Sequence, residues 1–136
     1  MKVLVCGGRA FADAAFVHAE LDRLHAQYRF TILIEGDARG VDRIAGEWAK
    51  AKGVDLRKFP ADWKREGRHA ALIRNERMLT DGRPEMVVAF PGGNGTAYTC
   101  SKAEQAGIPV LRIKQARAVI SDSTPAETRP KTLRDQ

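Results

Sequence analysis

Cysteine, aromatic residues and long apolar runs are scarce in this sequence, and each scarcity excludes a class of protein. The chain has two cysteines, Cys6 and Cys100, which make neither a disulfide framework nor the clustered spacing of a zinc site. No apolar run approaches the roughly 18 residues of a membrane-spanning helix, and no signal peptide is evident at the N-terminus. We therefore expect a cytoplasmic protein without metal, cofactor or membrane contact.

Two common nucleotide-binding signatures are also absent. The glycine-rich segment 91–96 has no Lys-Ser or Lys-Thr after its last glycine, which argues against Mg-ATP hydrolysis of the P-loop type. The segment Cys6-Gly7-Gly8-Arg9-Ala10-Phe11 does not fit the G-x-G-x-x-G dinucleotide fingerprint. Any nucleotide site in this chain must use a different loop.

The length and charge fit one domain with an anionic partner. The chain has 136 residues, a net charge of +6 and a pI near 9.7. Such a charge suits either nucleic acid or a small phosphorylated ligand. The charges form no block, and aromatic residues, the stacking platforms for single strands, make up 7% of the chain. Single-strand DNA binding is therefore the least favoured of the possible functions.

Strand-like and helix-like segments alternate along the chain. Short apolar runs predict strands at 2–6, 31–34, 54–59, 86–90 and 109–113, the third of them near a sheet edge because it is more polar. Helical periodicity predicts helices at 14–28, 41–52, 69–80 and 96–105, with Asp13 and Gly53 as caps and a charged loop over 60–68. This order predicts an α/β Rossmann-like domain over 1–113: a doubly wound, open parallel sheet of about five strands with helices on both faces. The polar tail, 114–136, is predicted to be flexible.

The densest glycine segment joins the most apolar strand to a helix. It reads Pro91-Gly92-Gly93-Asn94-Gly95-Thr96, and we call residues 91–96 the glycine loop. Glycines let backbone N–H groups approach a ligand, and a helix N-terminus favours an anion. Thr96 is predicted to cap the helix and to donate its hydroxyl. The alternative is a plain tight turn.

Two further turns should meet the glycine loop, because the carboxyl ends of parallel strands share one sheet edge. Gly7-Gly8-Arg9 brings a guanidinium suited to phosphate. The second turn runs from Gly36 to Asp42 and contains Gly40; Asp42 either serves a ligand or complements the helix dipole.

Five segments occur together in an order typical of one family: Val5-Cys6-Gly7-Gly8-Arg9, Gly36-x-x-x-Gly40-Val41-Asp42, Ala61-Asp62-Trp63, Ile73-Arg74-Asn75-Glu76-Arg77-Met78 and Phe90-Pro91-Gly92-Gly93-Asn94-Gly95-Thr96. They resemble the SLOG superfamily, named for the Smf/DprA DNA-processing proteins and the Lonely Guy phosphoribohydrolases, and within it the YspA-like, cpYpsA-related branch. The resemblance covers about residues 1–113. It implies a Rossmann-like fold that binds nucleotides or their derivatives.

The resemblance also implies a possible reaction. In the Lonely Guy enzymes a Pro-Gly-Gly-x-Gly-Thr-x-x-Glu loop and an Arg-Lys-x-x-Met segment accompany cleavage of a nucleoside monophosphate into free base and ribose 5-phosphate. Here Asn75 stands where lysine is usual, and Thr99 stands where the loop glutamate is expected. That departure removes the carboxylate expected to assist departure of the base.

Two hypotheses follow for the site. In a nucleoside-monophosphate N-glycosidase, the catalytic candidates are Asp42, which is preferred, Glu76 and Arg74. A ligand sensor or carrier would use the same pocket without chemistry. The residues expected to bind phosphate or nucleotide are Gly7, Gly8, Arg9, Gly36, Gly40, Asn75, Gly92, Gly93, Asn94, Gly95 and Thr96; those expected to stack on a base are Trp63 and Tyr98. Related proteins often pair through helices, so a homodimer or higher homo-oligomer is expected.

Overall fold

The computed structural model describes residues 1–115. The predicted flexible tail, 114–136, therefore lies almost wholly outside the described residues. Over the described part of the chain, no helix is both long and apolar enough to cross a membrane.

Five strands and five helices follow one another along the described chain. The strands are β1 (Lys2–Cys6), β2 (Ile32–Glu35), β3 (Asp55–Lys58), β4 (Met86–Ala89) and β5 (Val110–Arg112). The helices are α1 (Ala14–Tyr28), α2 (Val41–Lys52), the single turn α3 (Trp63–Glu66), α4 (Ala70–Thr80) and α5 (Asn94–Gln105), with a 3-10 turn at Gly67–His69 before α4.

The strands form one parallel sheet in the order β3-β2-β1-β4-β5. This arrangement confirms the predicted Rossmann-like α/β fold, and β3 is an edge strand as its polarity indicated. Alternate residues of β1 face opposite layers, because side chains along a strand alternate in direction. Val3 and Val5 pack in the core formed with α1 and α2, whereas Leu4 and Cys6 pack in the core formed with α4 and α5.

The helix boundaries confirm some sequence predictions and correct others. Asp13 caps α1 by accepting a hydrogen bond from the Phe16 N–H at 3.1 Å, and Gly53 ends α2 in the left-handed conformation, both as predicted. The predicted cap of α5 was wrong: the helix begins at Asn94, with Gly93 at the cap position and no side-chain cap. Thr96 therefore lies within the first turn.

The segment 60–68 was predicted to be a loop, but it contains α3 and the start of the 3-10 turn. Asp62 initiates α3 by accepting a hydrogen bond from the Arg65 N–H at 3.1 Å. A helix of one turn shows no hydrophobic periodicity, so the sequence pattern could not indicate it.

The strand order places a crevice at the centre of the sheet. The chain builds outward from β1 through β2 to β3, and then returns to the other side of β1 with β4 and β5. Beyond the carboxyl ends of β1 and β4, the two loops that follow run to opposite faces of the sheet. Ligands of open α/β folds bind at this kind of topological switch point.

Candidate functional site

The loops after β1 and β4 meet at the switch point in close backbone contact. The Gly8 N–H donates to the Pro91 carbonyl at 2.9 Å. A Cβ at Gly8 would lie 3.1 Å from that oxygen and 3.3 Å from the Gly92 Cα, so a larger residue would force the loops apart. Gly8 and Gly92 therefore allow the two loops to pack closely against each other.

The glycine loop presents unpaired amides to solvent. Residues 91–95 are exposed. The first backbone hydrogen bond of α5 runs from the Ala97 N–H to the Gly93 carbonyl at 3.1 Å, and no side chain caps the helix. The N–H groups of Asn94, Gly95 and Thr96 thus precede the hydrogen-bonded turns and are free to receive an acceptor. Together with the helix dipole they form a setting suited to an anion.

The turn after β2 packs against the loop after β1. Gly40 has φ of +82°, and a Cβ there would lie 2.7 Å from the Arg9 carbonyl oxygen, so this position requires glycine. The neighbouring Val41 N–H donates to the Gly8 carbonyl at 3.2 Å. Gly40 therefore allows the close contact between these two loops. It does not itself line the cavity described next.

These loops and α4 enclose a cavity of about 410 Å³, which we call the first chamber. Its lining includes Gly7, Arg9, Asp42, Arg74, Asn75, Gly93, Gly95 and Thr96 from the predicted set, and also Cys6, Ala38, Ala71, Leu72, Met78 and Thr99. A volume of this size is in the usual range for small-molecule sites. Polar side chains from the loop after β1 and from α2, α4 and α5 therefore converge on one cavity.

Asp42 is the one carboxylate among the described residues that line the first chamber. It is 7% exposed, and its Oδ2 accepts a hydrogen bond from the Ala38 N–H at 3.3 Å. Burial raises the pKa of Asp42 from 3.8 to about 6, although the Ala38 and Gly36 N–H groups and the Arg74 and Arg9 charges oppose the rise. A carboxyl with this pKa can exchange a proton near neutral pH.

Arg74 spans the wall of the first chamber. It is 6% exposed; its Nη1 donates to the Gly36 carbonyl and its Nε donates to Asn75 Oδ1 at 2.7 Å. Asn75 Nδ2 in turn donates to the Gly95 carbonyl at 3.5 Å. A chain of hydrogen bonds therefore links the turn after β2 to the glycine loop, and Arg74 faces Asp42 across Gly36, where a Cβ would clash with both side chains.

Other predicted residues lie at or beyond the margin of the first chamber. Gly36 and Trp63 line a neighbouring cavity. Asn94 is exposed at the first position of α5. Glu76 is exposed on α4 and accepts a hydrogen bond from the Tyr98 hydroxyl. Neither residue lines the first chamber.

Two residues of the first chamber, Thr99 and Leu72, and one buried carboxyl outside it, Glu35, were not among the predicted site residues. Thr99 is buried and lines the first chamber, its Oγ1 donating to the Gly95 carbonyl at 3.1 Å. Leu72, an exposed apolar residue of α4, also lines the first chamber. Glu35, at the end of β2, is fully buried, and its Oε2 has no hydrogen-bond partner among the described residues. The sequence offered one signal for Glu35, because a carboxylate there ends an otherwise apolar strand.

The fold and the site define a Rossmann-like α/β protein with a glycine-rich strand-to-helix loop at its switch point. The model of the YspA, cpYpsA-related SLOG family matches residues 1–66. The chain is also 35% identical over 118 residues to the Gene 61 protein of Mycobacterium phage D29, a match that covers 81% of this chain and 94% of that protein. The chain belongs to the YspA, cpYpsA-related SLOG family, and membership suggests a role in binding a nucleotide-related ligand.

Proposed function

We propose that the protein binds a nucleoside phosphate in the first chamber, with the phosphate on the N–H groups of the glycine loop. The observation that carries this proposal is the exposed N-terminus of α5, whose N–H groups at Asn94, Gly95 and Thr96 lack intrahelical partners. Arg9 lies on the same chamber and adds a positive charge. The ribose and base would then occupy the rest of the first chamber, whose lining includes Leu72 and Asp42.

Alanine at Gly93 or Gly95 tests this proposal with little disturbance of the fold. A Cβ at Gly93 would meet no atom within 4 Å, and one at Gly95 would lie 3.9 Å from Asn75 Nδ2. We expect the thermal midpoint of Gly95→Ala to be unchanged or slightly raised, because alanine is the better helix former. The midpoint of Gly93→Ala should be slightly lowered, because alanine is a poorer N-cap than glycine. Binding of nucleoside monophosphates, measured by calorimetry, should weaken about tenfold or more, because each added methyl occupies the space that a phosphate needs to reach the N–H groups.

The matched control is Ser101→Ala, which alters an exposed position further along α5. This variant should bind as the parent does. Unchanged binding by both glycine variants would contradict the placement of the phosphate.

A second candidate function, hydrolysis of the N-glycosidic bond, is favoured by Asp42. The carboxylate would take a proton from water as the water oxygen bonds to C1′ of the ribose. The C1′–N bond would break, and the base would leave with the bonding electron pair and acquire a proton. An oxocarbenium-like transition state of this kind needs a nearby carboxylate, and the raised pKa of Asp42 suits it to general-base catalysis.

Replacement of Asp42 by asparagine tests the reaction. Release of base from a panel of nucleoside 5′-monophosphates, followed by chromatography, should fall about 100-fold, because general-base catalysis contributes at least this much. Nucleotide affinity should change far less than turnover. Full activity in Asp42→Asn would exclude Asp42 as the base. Tight binding without turnover by the parent protein would identify a ligand sensor or carrier. Thr99, which stands where the Lonely Guy enzymes have the loop glutamate, would be consistent with that result.

A further inference from the structure

A second cavity of about 280 Å³ adjoins the first chamber, and we call it the second chamber. The two chambers share Arg9, Ala38 and Arg74 in their linings. The second chamber is further lined by Gly36, Asp37, Arg39, Arg43, Pro60, Ala61 and Trp63. A ligand in the first chamber therefore has an adjoining space on the far side of Arg9.

The second chamber carries an excess of positive charge. Four arginines line it, against Asp37 as the one carboxylate among its described lining residues. Asp37 is already shared, since its Oδ1 lies 3.5 Å from Arg43 Nε and 3.6 Å from Lys58 Nζ. Arg74 is occupied by Gly36 and Asn75. Arg9 and Arg39 remain, both exposed and, over residues 1–115, without a carboxylate within ion-pair distance.

Trp63 holds Arg9 at the boundary between the chambers. The Arg9 guanidinium carbon lies 5.7 Å from the centre of the Trp63 ring, a cation–π contact. Trp63 is 50% exposed, which is costly for a large apolar side chain. This contact orders the guanidinium without neutralising it, so its N–H groups stay available for an anion.

We propose that the second chamber binds a second phosphate, directly linked to the phosphate on the glycine loop. The site then takes a nucleoside diphosphate or a pyrophosphate-linked nucleotide in preference to a monophosphate. Arg9 borders both chambers and contacts both phosphates, whereas Arg39 lines the second chamber alone. The close contact of Gly40 with the Arg9 backbone brings the two arginine-bearing loops together. This inference rests on the proposed binding of a nucleoside phosphate.

Calorimetry with the 5′-monophosphates and 5′-diphosphates of the four common ribonucleosides tests the proposal. For the parent protein, the diphosphate of the preferred nucleoside should bind at least about tenfold more tightly than its monophosphate, since charge-assisted contacts of the second phosphate to Arg39 and Arg9 are added. Arg39→Ala should remove most of that advantage while changing monophosphate affinity less than twofold. The matched control is Arg23→Ala, which removes the same charge from α1, outside both chambers, and should preserve the advantage.

The possible failures are distinguishable. Equal affinity for mono- and diphosphates in the parent would overturn the second phosphate site and leave the glycine loop intact. Equal weakening of both ligand types by Arg39→Ala and by Arg23→Ala would show a general charge effect and would also overturn it. Absence of binding by all eight nucleotides would overturn the proposed function, and the second site with it.

Discussion

Replacement of Arg74 by alanine should destabilise the fold by about 3 kcal/mol and abolish nucleotide binding. The side chain is buried, and its removal leaves the Gly36 carbonyl and Asn75 Oδ1 without their donor. It also removes the guanidinium that faces the buried carboxyl of Asp42. The link between the turn after β2 and the glycine loop is lost at the same time. Chemical denaturation and calorimetry measure the two effects.

The control for this prediction lies on the same helix. Arg77 follows Arg74 by one turn, but its side chain is 51% exposed and its Nη2 pairs with Glu66 at 2.6 Å. Arg77 is half exposed, whereas its partner Glu66 is 12% exposed, so Arg77→Ala should cost about 1 kcal/mol, well below the cost of Arg74→Ala. Arg74→Lys, which keeps the charge but cannot reproduce both hydrogen bonds, should fall between these values. Equal costs for Arg74→Ala and Arg77→Ala would mean that burial of Arg74 has no energetic role.

Replacement of Glu35 by glutamine should change how stability depends on pH. Burial, opposed mainly by the Asp37 N–H, raises the pKa of Glu35 from 4.5 to about 7. The folded protein therefore holds this proton more tightly than the unfolded chain does. The contribution to stability is complete below pH 4.5 and is lost as the pH rises through 7, a difference of about 3 kcal/mol.

Glutamine mimics the protonated acid and does not ionise. Relative to the parent, Glu35→Gln should therefore be more stable by about 3 kcal/mol at pH 8 and nearly equal at pH 4. The pKa of Asp42 is also raised, so Asp42 contributes a fall in stability of the same sign in both proteins. Its charge helps to raise the pKa of Glu35, so the comparison measures the ionisation of Glu35 together with this repulsion. The measurement is urea denaturation across this pH range.

Glu47→Gln provides the control, because Glu47 is on α2, lines a surface cavity together with Glu35, and has a side chain that is 73% exposed. The difference in stability between Glu47→Gln and the parent should not change comparably with pH. Parallel stability curves for the parent and Glu35→Gln would show that Glu35 ionises normally in the fold.

Much of the fold follows from local sequence. The buried strands are short apolar runs ended by glycine, as at Cys6-Gly7 and Glu35-Gly36, and their spacing leaves room for helical segments between successive strands. The parallel sheet results from that alternation. The start of α5 was misjudged by two residues because a threonine favours a cap position, whereas here Gly93 takes it and Thr96 packs against Gly92.

The candidate site was predictable where backbone geometry defines it and less so where tertiary burial does. Gly92 of the glycine loop and Gly40 of the turn after β2 stand where a Cβ would clash with neighbouring atoms, so the backbone conformation requires glycine at these two positions. The burial of Arg74 could not be read from α4, since Arg74 and Arg77 look equivalent in the sequence and only the packing against β2 distinguishes them. The burial of Glu35 could not be predicted for the same reason. Gly46 of α2 packs against its carboxylate, and a Cβ at position 46 would clash with it.

The central claim is that the unpaired amides at the start of α5 receive the phosphate of the ligand. Titration of ¹⁵N-labelled protein with nucleoside monophosphates, followed by two-dimensional NMR, observes these N–H groups one by one. The largest shifts should occur at Asn94, Gly95 and Thr96, with downfield proton shifts typical of a charged acceptor, and should be reduced in Gly95→Ala. Saturable shifts confined to other regions, with these three amides unmoved, would contradict the claim.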